Sequence, residues 1–424
     1  MAAGPSSSVR DAVVEVATRA REAARVLAQA SSERKNAALG AMAEALRRRR
    51  DRILSANRED VEQARREGLS GALVERLTLN ETRLAEMTAS VEAVAALPDP
   101  VGAVIRAWER PNGLKITKVR VPLGVIGIIY ESRPNVTSEC ASLCLKSGNA
   151  VVLRGGAEAF RSTQAIGAAI QEALEASGLP GASVGLVPTP SREGVDVLLG
   201  LERLIDVIIP RGGEALIRKI VEQSRIPVIK HAKGVCHVYV DDAADLEMAQ
   251  AIALNAKCQR PATCNAMETL LVHARVAPTF VPAVVEALRR AGVEVRGCER
   301  TRALAPGLTP ATEEDWVTEY LDLVLSLKVV ESLEEAVEHI RRYGSAHSDA
   351  IVTAEVRHAA RFVEAVDSAA VYVNASTRFT DGYQFGLGAE IGISTDRLHA
   401  RGPMGLEELT TYKYVVYGTG QLRQ

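Results

Sequence analysis

Between residues 125 and 231, short runs of wholly apolar residues alternate with amphipathic segments. A strand that is apolar on both faces must be buried on both sides, and intervening helices favour parallel pairing of successive strands. The pattern predicts a parallel sheet covered by helices on both faces. The predicted strands are 125–130, 150–153, 184–187, 205–209 and 227–229, and the predicted helices are 136–146, 163–176, 194–199 and 214–223.

A second alternating block, residues 238–373, predicts a second parallel-sheet domain. Two domains agree with the length of 424 residues, because single cores stop growing well below that size. The first hundred residues instead repeat apolar positions at helical spacing. They predict helices over roughly 33–55 and 58–67, packed on the first domain.

A small β arm is predicted outside both domains. Asn112 and Gly113 separate two strand-like runs, 104–109 and 114–121, and Asn-Gly between strands is a strong hairpin signal. A further run, 412–417, has no local partner in the sequence. Because strand edges need covering, it pairs with the hairpin either within one chain or across a dimer.

The composition, 47% hydrophobic and 25% charged, is that of an ordinary soluble globular protein. The formal net charge of −2 gives no general attraction to nucleic acid or membranes. The basic run 47–50 continues a helical pattern and predicts a solvated helix face. No apolar leader follows Met1, and no apolar run approaches the ~20 residues that span a bilayer. We expect a cytoplasmic protein without nucleic-acid or membrane partners.

The six cysteines include no CxxC pair, and no metal site is expected. Cys264 lies where a helical pattern, 246–257, gives way to an apolar strand, 267–273. A side chain at such a join can face a cleft while its own N–H binds an oxyanion. Lys257 and Arg260 add positive charge nearby in sequence, which would stabilise a thiolate. These residues alone are compatible with a thioester-forming nucleophile or with an inert, packed thiol.

Three predicted strand ends carry residues suited to a nucleotide, which binds at the carboxyl ends of parallel strands. These ends run into segments 131–135, 154–158 and 210–214. Paired glycines at a helix N-terminus let N–H groups approach a phosphate, and Arg154 suits an additional phosphate such as the 2′-phosphate of NADP. No GxGxxG fingerprint is present, and each Gly-Gly pair alone also fits a plain tight turn.

Several long motifs together carry a resemblance to a known family. They are VPLGVIGIIYESRPNVT at 121–137, LRGGAEA at 153–159, IPRGG at 209–213, RPATCNAMET at 260–269, VNASTRFTDG at 373–382 and GAEIGIST at 388–395. With them the chain resembles the gamma-glutamyl phosphate reductase family of the aldehyde dehydrogenase superfamily, over nearly its whole length. The resemblance implies an aldehyde-dehydrogenase-like α/β fold with two parallel-sheet domains and a small β oligomerisation arm.

The domain boundaries follow from the same resemblance. Residues 1–103 and 124–235 are expected to bind NADPH, 236–385 to form the catalytic domain, and 104–123 with 405–424 to form the arm. The protein is expected to be a homo-oligomer, a dimer or higher. A separate glutamate kinase would supply the unstable acyl phosphate, and whether the two proteins make a transient contact is left open.

The implied reaction is NADPH-dependent reduction of L-glutamyl 5-phosphate to L-glutamate 5-semialdehyde and phosphate, the second step of proline synthesis from glutamate. The enzyme is also called a phosphorylating glutamate-5-semialdehyde dehydrogenase. Cys264 is the implied nucleophile, and the Asn135 amide with the Cys264 N–H forms the implied oxyanion hole. Two alternatives are a CoA-acylating or hydrolysing aldehyde dehydrogenase of the same superfamily and a non-catalytic α/β binding protein.

The remaining candidate residues fall into two groups. Those expected at the cofactor are Arg154, Gly155, Gly156, Glu158, Pro210, Arg211, Gly212, Gly213 and Glu319. Those expected at the substrate are Arg378, Ser376, Thr377, Asp381, Glu131 and Arg133, with the Arg378 fork on the alpha-carboxylate. Segment 229–235 lacks the glutamate that activates water in hydrolysing relatives, and its His231 is expected to serve structure or substrate contact.

Overall fold

The computed structural model describes residues 7–230 and 233–423. The chain forms two compact units. The first unit comprises 1–230, 387–392 and 404–424, and the second comprises 231–386 and 393–403.

Helices precede the first sheet in the first unit. They are α1 (Ser7–Leu27), α2 (Ser32–Arg48), α3 (Arg50–Arg66), α4 (Gly71–Leu77) and α5 (Glu81–Ala96). The Ser31 and Asn80 side chains cap α2 and α5 by accepting hydrogen bonds from backbone N–H groups. The helix predicted over 33–55 is in fact two helices, because the backbone leaves helical geometry at Arg49.

The predicted arm is a three-stranded antiparallel sheet. Strands β1 (Val104–Glu109) and β2 (Lys115–Pro122) form the hairpin, and the C-terminal strand β16 (Thr410–Tyr417) pairs along the other edge of β2. Of the two pairings that the sequence left open for 412–417, the one within the chain is present. The side chains of Tyr412 and Tyr414 on β16 remain exposed.

The first unit contains a four-stranded parallel sheet in the order β5-β4-β3-β6. Its elements are β3 (Val125–Tyr130), α6 (Val136–Lys146), β4 (Ala150–Arg154), α7 (Phe160–Ala176), β5 (Val184–Leu186), α8 (Glu193–Leu198), β6 (Val207–Arg211) and α9 (Glu214–Gln223). Every residue of β3 and β4 is buried, as the apolar runs predicted. Strand order reverses between β3 and β6, and ligands bind at such switch points.

One predicted strand of this sheet is wrong. Segment 227–229 forms a single bridge, between Val228 and Ile208, rather than a strand. Pro227 lacks the N–H group that the next pair on the amino-terminal side of the bridge would need, so the ladder does not extend in that direction.

The second unit contains a seven-stranded, wholly parallel sheet in the order β10-β9-β11-β8-β7-β12-β13. Its elements are β7 (Cys236–Val240), α10 (Leu246–Cys258), β8 (Met267–His273), α11 (Ala277–Arg290), β9 (Glu294–Gly297), α12 (Glu299–Leu304), β10 (Thr309–Pro310), α13 (Glu313–Trp316), β11 (Val324–Val330), α14 (Leu333–Tyr343), β12 (Ser348–Val352), α15 (Val356–Ala365) and β13 (Ala370–Val373). A short antiparallel pair, β14 (Ile393–Ser394) and β15 (Gly402–Pro403), follows. The second parallel-sheet domain predicted from the sequence is confirmed.

Across the described ranges 7–230 and 233–423, every helix is too short or too polar to cross a membrane.

Phe280 provides a test of the core of the second unit. Its side chain is 2% exposed and packs within the cluster between α10, α11 and the sheet. We expect Phe280→Ala to reduce the free energy of unfolding by about 3–5 kcal/mol, through lost burial and the cavity that remains. Phe379→Ala is the matched control, since Phe379 is 48% exposed. Urea unfolding of both variants checks this, and equal losses would contradict the assigned core.

Candidate active site

Cys264 lies in the turn between α10 and β8, with its side chain partly exposed and in no disulfide. The turn lies at the amino end of β8. The strand ends predicted to bind a nucleotide are instead the carboxyl ends of strands in the first unit. The join between helix and strand was predicted from the sequence. We call residues 259–266 the nucleophile loop.

The segment before β7 packs against the backbone of the nucleophile loop. A Cβ on Gly234 would lie 1.9 Å from the Cys264 carbonyl oxygen, so only glycine fits there. The Cys236 thiol donates a hydrogen bond to the same carbonyl at 3.2 Å. Ser345, just before β12, accepts a hydrogen bond from the Val235 N–H at 2.9 Å. The chain at the start of β7 thus holds the Cys264 backbone in place, and Ser345 in turn holds that part of the chain.

Asn265 connects the nucleophile loop to the segment that follows β13. Its side-chain amide donates to the Thr380 carbonyl at 2.9 Å, and its own carbonyl accepts from the Thr377 hydroxyl at 2.7 Å. Thr377 is fully buried. These bonds bring two sequence-predicted segments together, the one around Cys264 and the one around Arg378.

Arg378 is the candidate substrate residue in the segment that follows β13 whose side chain carries a positive charge. Its side chain is partly buried, and its Nε donates to Gln259 Oε1 at 2.9 Å. Burial, together with the positive charge of Arg260, lowers the pKa of Arg378, while Cys264 and Asp381 act in the opposite direction. Arg378 is therefore within electrostatic reach of Cys264.

The other candidates in this segment satisfy backbone groups. The Ser376 hydroxyl accepts a hydrogen bond from the Arg378 N–H at 3.3 Å. The Asp381 carboxylate accepts from the N–H groups of Tyr383 and Gln384, at 2.9 and 3.1 Å. These contacts are those of turn-capping side chains.

The structure corrects the expected role of Lys257. Its Nζ lies 2.6 Å from Glu268 Oε2, and both side chains are fully buried. Its charge is thus matched by Glu268 rather than available to a thiolate at Cys264. Arg260, the other cation near Cys264 in sequence, is exposed.

Glu319 is partly buried in segment 317–323, which connects α13 to β11. Its negative charge raises the pKa of Glu268, so the two carboxyl groups lie near each other.

In the first unit, Glu131 and the Gly212–Gly213 turn meet at the switch point between β3 and β6. The Gly213 N–H donates to Glu131 Oε2 at 2.9 Å, at the N-terminus of α9. A Cβ on Gly213 would meet nothing closer than that oxygen, at 4.0 Å. The turn therefore already binds one carboxylate, as a helix N-terminus favours, and has open space beside it. Pro210 and Arg211 end the strand that leads into it.

Glu158 holds the loop after β3 to the turn after β4. Its Oε1 accepts from the N–H and the hydroxyl of Ser132, at 2.6 and 2.7 Å. Ser132 has a positive φ of 44°, an uncommon conformation for serine that these two bonds help to hold. Gly155 and Gly156 precede Glu158, and a Cβ on Gly156 would meet its carboxylate at 2.1 Å.

Asn135 and Arg133 lie in the loop after β3. Asn135 is partly buried at the start of α6, and its side-chain amide donates to Glu139 Oε1 at 2.8 Å. Arg133 is exposed.

Arg154 is less exposed than its expected role suggested. Its side chain is 8% exposed, and its guanidinium donates to the carbonyls of Gly155, Pro190 and Ser191 at 2.9–3.3 Å. Burial lowers its pKa. The arginine therefore fixes the shape of the loop between β5 and α8.

Three residues at this site were missed from the sequence: Gly234, Asn265 and Glu268. Asn265 adjoins Cys264 and could have been found from its position. The roles of Gly234 and Glu268 depend on tertiary contacts, which no local sequence pattern predicts. His231, expected to serve structure or substrate contact, lies outside the described residues.

Comparison with known proteins agrees with this architecture. A family model described as the aldehyde dehydrogenase family matches residues 3–322. The chain therefore belongs to the aldehyde dehydrogenase family.

Within that family the chain is similar to gamma-glutamyl phosphate reductases. The protein of that name from Carboxydothermus hydrogenoformans is 58% identical over 97% of this chain and 100% of its own length. The one from Moorella thermoacetica is 59% identical over 96% of this chain and 97% of its own. The crystal structure of gamma-glutamyl phosphate reductase from Thermotoga maritima gives a TM-score of 0.96 at 52% identity, covering 97% of this chain and 100% of that one.

The cysteines provide a test of the site. Cys140, Cys144 and Cys236 are buried, and burial raises the pKa of each thiol, to about 12 for Cys140. We expect iodoacetamide to alkylate Cys264 at least about tenfold faster than these three, because reactivity requires access and thiolate character. Peptide mass spectrometry over time measures the rates, with partly exposed Cys258 and Cys298 as internal references. Labelling of Cys264 no faster than that of Cys140 would contradict the assignment.

Proposed function

We propose that this protein reduces L-glutamyl 5-phosphate to L-glutamate 5-semialdehyde and phosphate with NADPH, through a thioester on Cys264. The reaction is the second step of proline synthesis from glutamate. The observation that carries the proposal is the partly exposed Cys264 on a braced loop, in a chain similar over nearly its full length to gamma-glutamyl phosphate reductases.

In the first half of the reaction, the Cys264 thiolate attacks the carbonyl carbon of the acyl phosphate. A carbon–sulfur bond forms, the carbon–oxygen bond to phosphate breaks, and phosphate leaves with that electron pair. The Asn135 side-chain amide and the Cys264 N–H stabilise the negative charge on the carbonyl oxygen, which is the role of an oxyanion hole. Covalent catalysis of this kind divides one difficult reduction into two easier steps.

Members of the aldehyde dehydrogenase family use a nicotinamide cofactor. The first unit has groups that fit one, because the α9 N-terminus already binds a carboxylate beside open space. We propose that the pyrophosphate binds this turn and that Glu319 binds the nicotinamide ribose. The full set of proposed cofactor residues is Arg154, Gly155, Gly156, Glu158, Pro210, Arg211, Gly212, Gly213 and Glu319.

NADPH, when bound, supplies the hydride that reduces the thioester. The same two oxyanion donors stabilise the charge that then develops on oxygen. Collapse of the hemithioacetal releases the aldehyde and returns the electron pair to the Cys264 sulfur. Segment 229–235 carries no carboxylate to activate water, which supports a thioester that persists until it is reduced.

Arg378 is the proposed partner of the substrate alpha-carboxylate. Its planar fork suits two carboxylate oxygens, and it lies within electrostatic reach of Cys264. The proposed substrate set is completed by Glu131, Arg133, Ser376, Thr377 and Asp381. The last three make hydrogen bonds within the protein, which support an indirect role in shaping the segment around Arg378.

The domain assignment is part of the proposal. Residues 1–103 and 124–235 bind the dinucleotide, 236–385 carry the nucleophile, and 104–123 with 405–424 form an arm that joins subunits. Exposed tyrosines on β16 support a homo-oligomer, since a bare strand edge invites pairing. The six cysteines form no disulfide, which supports a reducing compartment such as the cytoplasm. The acyl phosphate comes from a separate kinase.

The reverse reaction tests the function. We expect oxidation of glutamate 5-semialdehyde with NADP to require phosphate or arsenate. Cys264→Ala should abolish it, and Asn135→Ala should slow it by about 10²–10³-fold through loss of one oxyanion donor. Absorbance at the NADPH band follows the rate. Turnover with coenzyme A in place of phosphate would favour a CoA-acylating enzyme, and turnover with neither would favour a hydrolysing one. Full activity of Cys264→Ala would exclude Cys264 as the nucleophile.

Arg154 is tested by cofactor preference. We expect Arg154→Ala to weaken NADPH binding about tenfold more than NADH binding, if the guanidinium contributes a charge-assisted bond to the 2′-phosphate. Dissociation constants from cofactor fluorescence measure the difference. Arg290→Ala serves as the control, because Arg290 is exposed and belongs to neither proposed residue set. Equal losses for the two cofactors would leave Arg154 with the loop-shaping role that its carbonyl contacts support.

A further inference from the structure

One buried ion pair closes the base of the nucleophile loop. Lys257 near the end of α10 and Glu268 at the start of β8 are eleven positions apart, and their charged atoms lie 2.6 Å from each other. Cys264 lies on the chain between them. Both partners are fully buried, so solvent does not screen the attraction.

The second oxygen of Glu268 holds a different segment. Its Oε1 accepts a hydrogen bond from the Leu321 N–H at 3.3 Å. Leu321 has a positive φ of 54°, a conformation that a branched residue keeps only when its surroundings impose it. Two positions earlier lies Glu319, the residue assigned to the nicotinamide ribose.

The intervening Tyr320 strengthens this connection. Its ring lies 5.8 Å from Lys257 Nζ, and its hydroxyl donates to Asp315 Oδ1 at 2.8 Å. Asp315 in turn pairs with Arg296 at 2.7 Å. The segment is thus held to Lys257 and Glu268 on one side and to α13 and β9 on the other.

A fully buried ion pair contributes little net free energy to folding. Removing two charges from water is costly, and apolar side chains of similar volume are often as stable or more so. Burial raises the pKa of Glu268 to about 7, with Lys257 and the Leu321 N–H lowering it and Glu319 raising it. The pair makes directional bonds to two separate segments, which apolar residues cannot do.

We propose that Lys257 and Glu268 are positioning residues that hold the nucleophile loop and the Glu319 segment in one shared geometry. Accepting the proposed function, the carboxylate of Glu268 aligns the thioester carbon with the nicotinamide. Neither residue touches the substrate. They act through the backbone at either side of Cys264 and through the Leu321 N–H.

The test is the double variant Lys257→Met/Glu268→Met, which keeps the volume and removes the bonds. We expect it to fold with an unfolding midpoint at least equal to that of the native protein. Its kcat should fall about tenfold or more, and its dissociation constant for NADPH should rise about tenfold, because sub-ångström misplacement is costly in catalysis. Alkylation of Cys264 by iodoacetamide should change about threefold or more, since loop geometry controls access.

Lys35→Met/Asp99→Leu is the matched control. It removes a buried lysine–carboxylate pair, also at 2.6 Å, that belongs to the first unit, whereas the nucleophile loop and the Glu319 segment belong to the second. We expect its kcat and Cys264 alkylation rate to stay within about twofold of native values.

A folded double variant with kcat, NADPH affinity and alkylation all within about twofold of native values would overturn the proposal. If the double variant fails to fold, Glu268→Gln decides. The two donors bond to different oxygens of Glu268, and in glutamine one of these oxygens becomes an NH2 group, which cannot accept. We therefore expect either kcat or NADPH affinity to fall about fivefold, and no change would overturn the proposal. The alkylation rate does not depend on which acyl substrate is used, so it separates failure of this proposal from failure of the proposed function.

Discussion

The contact between Gly234 and the backbone of Cys264 is the constraint on which the candidate site depends. No side chain fits between these two segments, so the chain before β7 lies directly on the turn that presents the thiol. The Cys236 thiol and the Ser345 hydroxyl complete the support with bonds to backbone groups. The cysteine is therefore held in place through its main chain.

Much of the architecture could be predicted from the sequence, because its signals are local. Strands buried on both faces appear as unbroken apolar runs, such as Val125–Tyr130, and the helices between them force parallel pairing. The strand wrongly predicted at 227–229 illustrates the limit: its apolar residues are present, but Pro227 cannot continue a ladder. The single helix predicted through Arg49 is a similar case. A break of one residue leaves the helical spacing of the apolar residues unchanged on both sides, so the sequence pattern does not reveal it.

The candidate site was predicted less completely, and the reason is burial. Cys264 stands out because of its position, whereas the partners of a charged side chain are invisible until the chain is folded. The sequence indicated that the positive charge of Lys257 stabilises a Cys264 thiolate, but in the structure this charge forms an ion pair with Glu268. Arg154 looked like a phosphate ligand and donates to three backbone carbonyls. In both cases the sequence indicates a charge near the site but not the group that the charge satisfies.

The hydrogen bond between Glu131 and the Gly213 N–H has a consequence for ligand exchange. Any anion that binds this N–H must first displace a carboxylate that is covalently part of the protein. This internal competitor weakens the binding of the entering anion. A turn with such a resident carboxylate therefore holds its ligand less tightly than the same turn would without it.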